Sequence, residues 1–497
     1  MENLKKNTVQ YIQNSRKNIL LILEKIKTYK VPFALLCGLL ILGVASILRA
    51  NYYYLDDWQR VSNGFRGWSN YSRYLSDYLS VLLHTERNLL DLSPFTQILA
   101  VVIMALAGFC MLHVFSENKK ITGWQIFYVI PFALSPYFLQ CYSYKYDAPY
   151  MAFSVLVAVL PILFRKSKLY GCFIMLGTFG MCMTYQASSG IFPMLVLFLM
   201  LHLYCNGESM KKCLWFATVS AFYYLVALII FNVFMVKELT SYASTTMLTM
   251  PTMFTGVANN LKLYIERILY GFKPMWCWLV VGISLFFVFT SVKYSKQNKW
   301  STVFLAISTV ICAFVLSYGA YLFLKKPLFS PRALYGFGVW ISLLMMPIAF
   351  SNKNYIGKGI CLVLCYCFFA FSSEYGNYLA LQQDYTKYTA QSISSSISKL
   401  YPEENDKQIS LAFKGTTKKA PIIEQLPKEH TLLKVLTQNI FANTAYFGHF
   451  LINSYLGYET FVFTDKQLEL FENLPLLEKT KQFCIYGNEE RILVEIF

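Results

Sequence analysis

Charge is scarce in this chain, and in the middle of its long apolar stretches it is missing altogether. Only 14% of the 497 residues are charged, against 56% hydrophobic and 17% aromatic. Mean hydropathy is +0.43. A soluble domain carries about 25% charged and about 45–50% apolar residues, so a soluble fold is excluded. Acidic residues are the rarer sign, 27 against 44 basic, for a net charge of +17. The surplus does not describe a nucleic-acid partner, because the Lys and Arg cluster between apolar runs, as in membrane orientation. Ion-coupled carriers need an ionisable group at mid-membrane depth, so their absence there disfavours a proton- or sodium-driven transporter. The 13 cysteines give no disulfide framework. Cys37, Cys110, Cys361, Cys365 and Cys367 fall inside apolar runs and act as small apolar residues. Cys361-x-x-x-Cys365-x-Cys367 has no neighbouring His or acid and does not make a metal site. After residue 373 only Cys484 remains, and one thiol cannot form an internal bridge.

What is present is a series of apolar runs, about 11 by the rule that roughly 20 apolar residues cross a bilayer. They cover 31–50, 95–115, 121–141, 148–164, 169–186, 188–205, 213–236, 274–292, 300–322, 333–350 and 356–373. Basic residues mark alternate connections: segment 1–30, Lys119 and Lys120, Arg165, Lys166 and Lys168, Lys211 and Lys212, Lys293, Lys296 and Lys299, Lys353 and Lys358. These are expected in the cytoplasm, and an odd number of spans then puts the C-terminus outside. The first run starts late and lacks a small-residue cleavage site, so no cleavable signal is expected. The expected organisation is a cytoplasmic N-terminus (1–30), a transmembrane domain (31–373) with outer loops at 51–94, 237–273 and 323–332, and a polar outer domain (374–497). The last reads as a small α/β domain. It has strand-like runs at 408–413, 460–463, 482–486 and 491–496, and helical ones at 378–400, 431–455 and 465–471. Residues 71–90 and 257–272 show the three–four spacing of amphipathic helices, either lying in the headgroup layer or packed on the bundle.

The outer loops hold the ionisable groups that could do chemistry. Asp56 and Asp57 follow the first run in a setting of Tyr52, Tyr53, Tyr54, Trp58 and Arg60. Such a pair can be merely solvated or balanced by Arg. Aromatic rings can also stack on sugars or sit at the interface. An arginine beside carboxylates can bind an anion such as phosphate. Lys145 and Asp147 lie at the mouth between runs three and four, and Tyr185 and Gln186 at the end of run five. Lys325, Lys326 and Arg332 form a basic loop stiffened by Pro327 and Pro331. These cations read either as headgroup anchors or as a phosphate-binding locus.

This layout resembles the membrane-integral glycosyltransferases of the GT-C class, and more closely the glucosyltransferase II (Gtr) family that modifies bacterial O-antigens. The resemblance rests on the segment from Tyr53 to Arg60 with Gly64 and Gly67, on Tyr146-Asp147-Ala148-Pro149-Tyr150, on Tyr185-Gln186-Ala187-Ser188, and on the loop ending in Arg332. It implies an inverting glucosyltransferase in the bacterial inner membrane, serving serotype conversion of lipopolysaccharide. The implied donor is undecaprenyl-phosphate-glucose and the acceptor a lipid-linked polysaccharide, with a donor flippase as partner. Asp57 is the expected base, with Asp56 orienting the acceptor, though the reverse assignment also stands. Arg60, Lys325, Lys326 and Arg332 are expected to bind the donor phosphate. Tyr54, Trp58, Lys145, Asp147, Tyr185 and Gln186 are expected to contact substrate. Some relatives in the wider class use a divalent cation, but the sequence has no ligand cluster for one. A polysaccharide polymerase or a lipid-linked-sugar flippase is the alternative.

Overall fold

The computed structural model describes residues 29–116, 119–237, 245–352, 354–402, 410–441, 447–456 and 468–497. Seven helices among these are long and apolar enough to cross a membrane: Lys30–Ala50, Phe95–Ser116, Gln186–Cys205, Met210–Met235, Pro274–Tyr294, Lys299–Leu316 and Tyr355–Leu400. Three more of the expected runs are shorter apolar helices, Ala148–Phe164, Tyr170–Cys182 and Gly336–Ala349. The expected run at 121–141 is not one helix. It breaks into a 3-10 turn Gln125–Val129, a helix Ile130–Ala133 and a helix Leu139–Ser143. Pro136 lies in the gap, where it removes an N–H and disfavours helix at the residue before it. The break is tolerable because residues 128–152 are almost all buried among other helices, which shields the freed backbone from lipid.

Three long helices begin with a side-chain cap, all beside basic loops. Ser209 accepts from Lys212 N–H, Asn298 from Trp300 and Ser301, and Asn354 from Gly357. Each satisfies a backbone donor that the helix start leaves open. The first and last long helices pack through small residues. The Ser372 hydroxyl donates to the Gly43 carbonyl at 2.6 Å, and Ser46 donates to the Ser372 carbonyl at 3.2 Å. A Cβ at Gly376 would stand 2.3 Å from Ser46, so only glycine permits this approach.

Helix Tyr355–Leu400 has 46 residues, about 69 Å at 1.5 Å per residue. It carries the chain out of the bundle without a break, so the expected boundary at 373 falls inside a single helix. Its far end packs on a four-stranded sheet of β1 (Ser410–Gly415), β2 (Leu476–Lys479), β3 (Phe483–Gly487) and β4 (Arg491–Ile496), in the order β1-β4-β3-β2. β1 pairs parallel with β4, and the other pairs are antiparallel. The strand expected at 460–463 lies outside the described residues, and β2 has no counterpart in the sequence reading. The helix expected at 431–455 begins as Thr431–Leu436 and ends as Gly448–Leu456.

Both amphipathic segments form helices, the first shorter than expected. The first is an 11-residue helix, Tyr74–His84, entered through the left-handed Ser72 and closed by the left-handed Thr85. It buries Ser76, Ser80 and His84, while Tyr78 and Leu82 are exposed. The second, Met253–Gly271, buries Asn260, Tyr264 and Ile268 and exposes Ile265 and Leu269. In the first helix small polar residues face the bundle and apolar ones face out, as in helices that meet lipid headgroups and acyl chains; the second buries Tyr264 and Ile268 and exposes Lys262, Glu266 and Arg267 beside Ile265 and Leu269.

Candidate functional site

The end of the first long helix sets the site. Asn51 caps it in a left-handed conformation, and Leu55 follows with a φ of 48°. For a leucine that conformation costs about 1–2 kcal/mol. It turns the chain into a second short helix, Asp57–Asn63, with Asp56 as the residue before it and Gly64 closing it at a φ of 66°. A side chain at Gly64 would also press on Asn88, so this closure requires glycine.

The two carboxylates part company here. Asp57 is wholly buried. Its Oδ2 accepts from the backbone N–H of Tyr54 and of Lys145, both at 3.0 Å, and its Oδ1 from that of Tyr146 at 3.5 Å. It ties the 54–57 turn to the 144–147 loop. Burial pushes its carboxyl up to about 8, against those N–H donors; Asp147 adds to the rise and Arg60 opposes it. Asp56 keeps part of its surface exposed. Burial raises its carboxyl above the ordinary range, opposed by Arg332, Arg60 and Arg73 and reinforced by Asp147. Asp56 therefore lies within the electrostatic reach of Arg332, Arg60 and Arg73, whereas Asp57 is held by backbone N–H groups.

Those arginines have different surroundings. Arg60 is buried and paired with Asp147, Nη2 to Oδ2 at 3.1 Å. Its Nη1 donates to the Arg66 carbonyl at 2.6 Å, and its plane lies 4.0 Å from the Trp68 ring centre. Trp68 Nε1 donates to Asp147 Oδ1 at 2.5 Å. Arg60 and Asp147 thus neutralise each other inside the protein. Arg332 is half-buried and lies over the Tyr144 ring at 4.9 Å. Arg73 lies 4.6 Å from the ring centre of Tyr185, whose hydroxyl donates to the Arg332 carbonyl at 3.2 Å. Arg332 and Arg73 with Tyr144 and Tyr185 form one contact group, and Asp56 lies within the reach of its two positive charges.

The other residues expected to contact substrate make contacts within the protein. Tyr54 is fully buried, its hydroxyl donating to the Leu436 carbonyl at 2.6 Å. Trp58 packs on Tyr53 and in one apolar cluster with Ile393, Phe441 and Ile452 of the C-terminal domain. Lys145 is buried, with its ammonium on Asn51 Oδ1 at 2.6 Å, near Asp91 at 3.4 Å, and above the Tyr53 ring. Burial lowers its pKa and Asp91 opposes this. Burial would raise Asp91, but Ser93, Tyr53 and Lys145 overrule it and hold that carboxyl below the usual range. Gln186 donates to the Tyr71 carbonyl at 3.2 Å. Lys325 and Lys326 are exposed on a loop held by backbone pairing of Lys325 N–H with the Thr246 carbonyl. Neither is among the cations named above as acting on Asp56.

Three residues of this region carry no role in the sequence reading. Arg73 falls within the amphipathic segment 71–90, and Tyr144 directly precedes Lys145. The third, Gln140, accepts from the Arg332 backbone N–H. Gln140 is an amide inside an apolar run, which is itself a signal. A divalent cation does not fit here: Asp56 and Asp57 diverge, Asp147 is spent on Arg60, and among the described residues no three His, Cys, Asp or Glu side chains converge.

Comparison with known proteins agrees with the sequence resemblance. The family profile described as glucosyl transferase GtrII matches residues 45–343. An uncharacterized 55.3 kDa protein in the gtrB 5' region of Salmonella phage P22 is 23% identical over 464 residues, covering 89% of this chain and 93% of that protein. No solved structure matches.

Proposed function

The chain belongs to the GtrII glucosyl transferase family, and from that premise we propose that it moves glucose from a polyprenyl-phosphate donor to a sugar hydroxyl of lipid-linked O-antigen. The observation that carries the mechanism is the partly exposed Asp56, within the reach of the positive charges of Arg332 and Arg73, two arginines joined through Tyr185. Asp56 takes the proton of the acceptor hydroxyl as its oxygen attacks the anomeric carbon. The bond from that carbon to the phosphate oxygen breaks, and its electron pair leaves with the polyprenyl phosphate. The anomeric centre inverts in a single displacement. The leaving phosphate is already an anion and needs positive charge more than a proton. Arg332 and Arg73 supply it, and the Tyr144 hydroxyl, buried without a protein partner on a ring that the Arg332 guanidinium covers, donates to a donor oxygen. Asp57 positions the turn through its three backbone contacts and does not meet substrate. The site lies on the outer side of the inner membrane, where lipid-linked donor and acceptor both reside.

The test uses purified protein with radiolabelled undecaprenyl-phosphate-glucose and acceptor glycan. Wild type releases undecaprenyl phosphate and labels the acceptor. Asp56→Asn loses at least about 10²-fold of that turnover, and Asp57→Asn keeps most of it. Full turnover by Asp56→Asn rules out Asp56 as the base. Chain lengthening from a diphosphate-linked oligosaccharide, without use of the glucose donor, identifies a polymerase instead.

A further inference from the structure

Gln140 is 2% exposed, and its amide is spent on three partners. Nε2 donates to the Tyr54 hydroxyl at 2.8 Å. Oε1 accepts from the Arg332 backbone N–H at 2.7 Å and from the Ser330 hydroxyl at 3.0 Å. The partners fix which way the amide faces. The Tyr54 hydroxyl spends its proton on the Leu436 carbonyl, so toward Gln140 it can only accept. The Arg332 N–H can only donate. A flipped amide would oppose two donors at one end. Arg332 lies in the 3-10 turn Pro331–Ala333, where the first N–H groups have no partner inside the turn. Gln140 supplies that partner.

A second path reaches the same arginine. The Tyr54 and Tyr144 rings meet edge to face at 4.7 Å, and the Arg332 guanidinium lies on Tyr144. Both the backbone and the charged end of Arg332 are therefore referenced to Tyr54. Tyr54 is three residues before Asp57, and its own N–H is held by that carboxylate. Leu436, which anchors the Tyr54 hydroxyl, ends the helix Thr431–Leu436 of the polar C-terminal segment, and that helix is buried in the apolar cluster of the membrane helices.

We infer that Gln140 is a positioning residue for the transfer, holding the Arg332 guanidinium in register with Asp56 on a frame that the C-terminal segment anchors through Leu436. The inference rests on the proposed roles of Asp56 and Arg332. It gives the C-terminal segment a part in catalysis: a shift of the 431–436 helix moves Tyr54, and Tyr54 moves the phosphate-binding arginine.

The test measures kcat, donor KM and the pH profile of full-length protein in detergent or nanodiscs. Gln140→Leu is expected to lower kcat/KM about 10²-fold, as a misplacement of about 1 Å does. It is also expected to move the acid limb of the profile to higher pH, because the cation that most opposes protonation of Asp56 has drifted. Gln140→Glu keeps the acceptor for Arg332 and Ser330 and should recover much of the loss. Tyr54→Phe removes only the hydroxyl and should shift the limb in the same direction. Asn260→Leu removes a buried amide that binds the Leu322 and Leu324 carbonyls; it should lower stability and leave the limb in place. A wild-type limb and wild-type donor KM in Gln140→Leu, or in Tyr54→Phe if the first does not fold, overturn the inference. Asp56→Asn is run in parallel. If it is inactive while the Gln140 variants match wild type, only this inference falls. If it retains full turnover, the base assignment falls and takes this inference with it.

Discussion

Whether Arg60 grips the donor phosphate or balances Asp147 is decided by a double-mutant cycle. Both side chains are nearly enclosed, at 7% and 6% exposure, and lie 3.1 Å apart. Removing one partner of a buried pair leaves the other charge uncompensated, at a cost of about 3–5 kcal/mol. Asp147→Asn is the clean perturbation, since an amide oxygen can still accept from Trp68 Nε1 and only the charge is lost. Arg60→Met is its counterpart, of similar length and apolar, against the Trp68 ring that the guanidinium now covers. Each single variant should lose about 3–5 kcal/mol of unfolding free energy, and the double variant about 1 kcal/mol, because replacing both charges is nearly neutral. The coupling would then be about 5–9 kcal/mol, well above the 0.5–3 kcal/mol of ordinary neighbours.

The assay is thermal or denaturant unfolding in one detergent, read by tryptophan fluorescence, followed by donor KM for every variant that folds. The double variant should keep the wild-type donor KM within a factor of about three, since no phosphate contact is lost. Its acid limb should also stay close to wild type, because Arg60 and Asp147 act on Asp56 in opposite directions. Additive single effects would refute the buried-pair argument. A rise in donor KM of tenfold or more in the stable double variant would return Arg60 to the phosphate.

Other outcomes follow from the same geometry. A base must be unprotonated, and burial raises Asp56, so kcat/KM should fall on acidification at a pH above the ordinary carboxylate range; a limb near 4 in a pH–rate profile contradicts this. Asp57 behaves differently. With a folded pKa of about 8 against 3.8, the folded state holds a proton that the unfolded chain has released. Its contribution is full below about 4 and is lost as pH rises through 8. Asp57→Asn should flatten that slope in unfolding measured between those values. Trp58→Ala removes the ring that joins the acidic turn to the C-terminal core, at about 3–5 kcal/mol. Limited proteolysis should then cut the C-terminal domain faster, and unchanged digestion would show the contact to be incidental. Leu55→Gly relieves a left-handed leucine and should leave stability unchanged or raised by about 1 kcal/mol.

Much of the fold was legible because apolar run length is a direct reading of bilayer thickness. The limits came where length and helix diverge. Run 121–141 has the composition of a span, but Pro136 lies in the gap that divides it, and its burial lets the broken backbone find partners that lipid could not provide. Residues 355–400 failed in the opposite sense. The composition changes near 373 while the helix does not, since a polar surface stops a helix from spanning and does not stop it from continuing. The amphipathic segments had the right period, and their facing stayed open. Periodicity shows that a helix has an apolar side; it does not say whether that side meets protein or lipid.

The site shows the same limit at finer scale. Asp56 and Asp57 are adjacent in sequence, which invites treating them as one acidic feature. Both have helical backbone, Asp56 with φ −54° and Asp57 as the first helical residue. At 3.6 residues per turn, successive side chains diverge by about 100°. Two such carboxylates cannot both point into one cleft. If Asp57 is turned inward to collect the N–H groups of Tyr54, Lys145 and Tyr146, Asp56 must be turned toward the arginines. The sequence could supply the pair and its aromatic setting, but the assignment depended on which residue began the helix. That in turn depended on the left-handed Leu55, a conformation a leucine gives no hint of adopting. The same divergence accounts for the cations. Arg60 lies three residues after Asp57, which is one helical turn and the same face, so it follows Asp57 into the interior and meets Asp147. The arginines left for Asp56 had to come from elsewhere in the chain, and they do: Arg73 from the next turn of the outer loop, and Arg332 from a loop more than half the chain away that Gln140 holds in place.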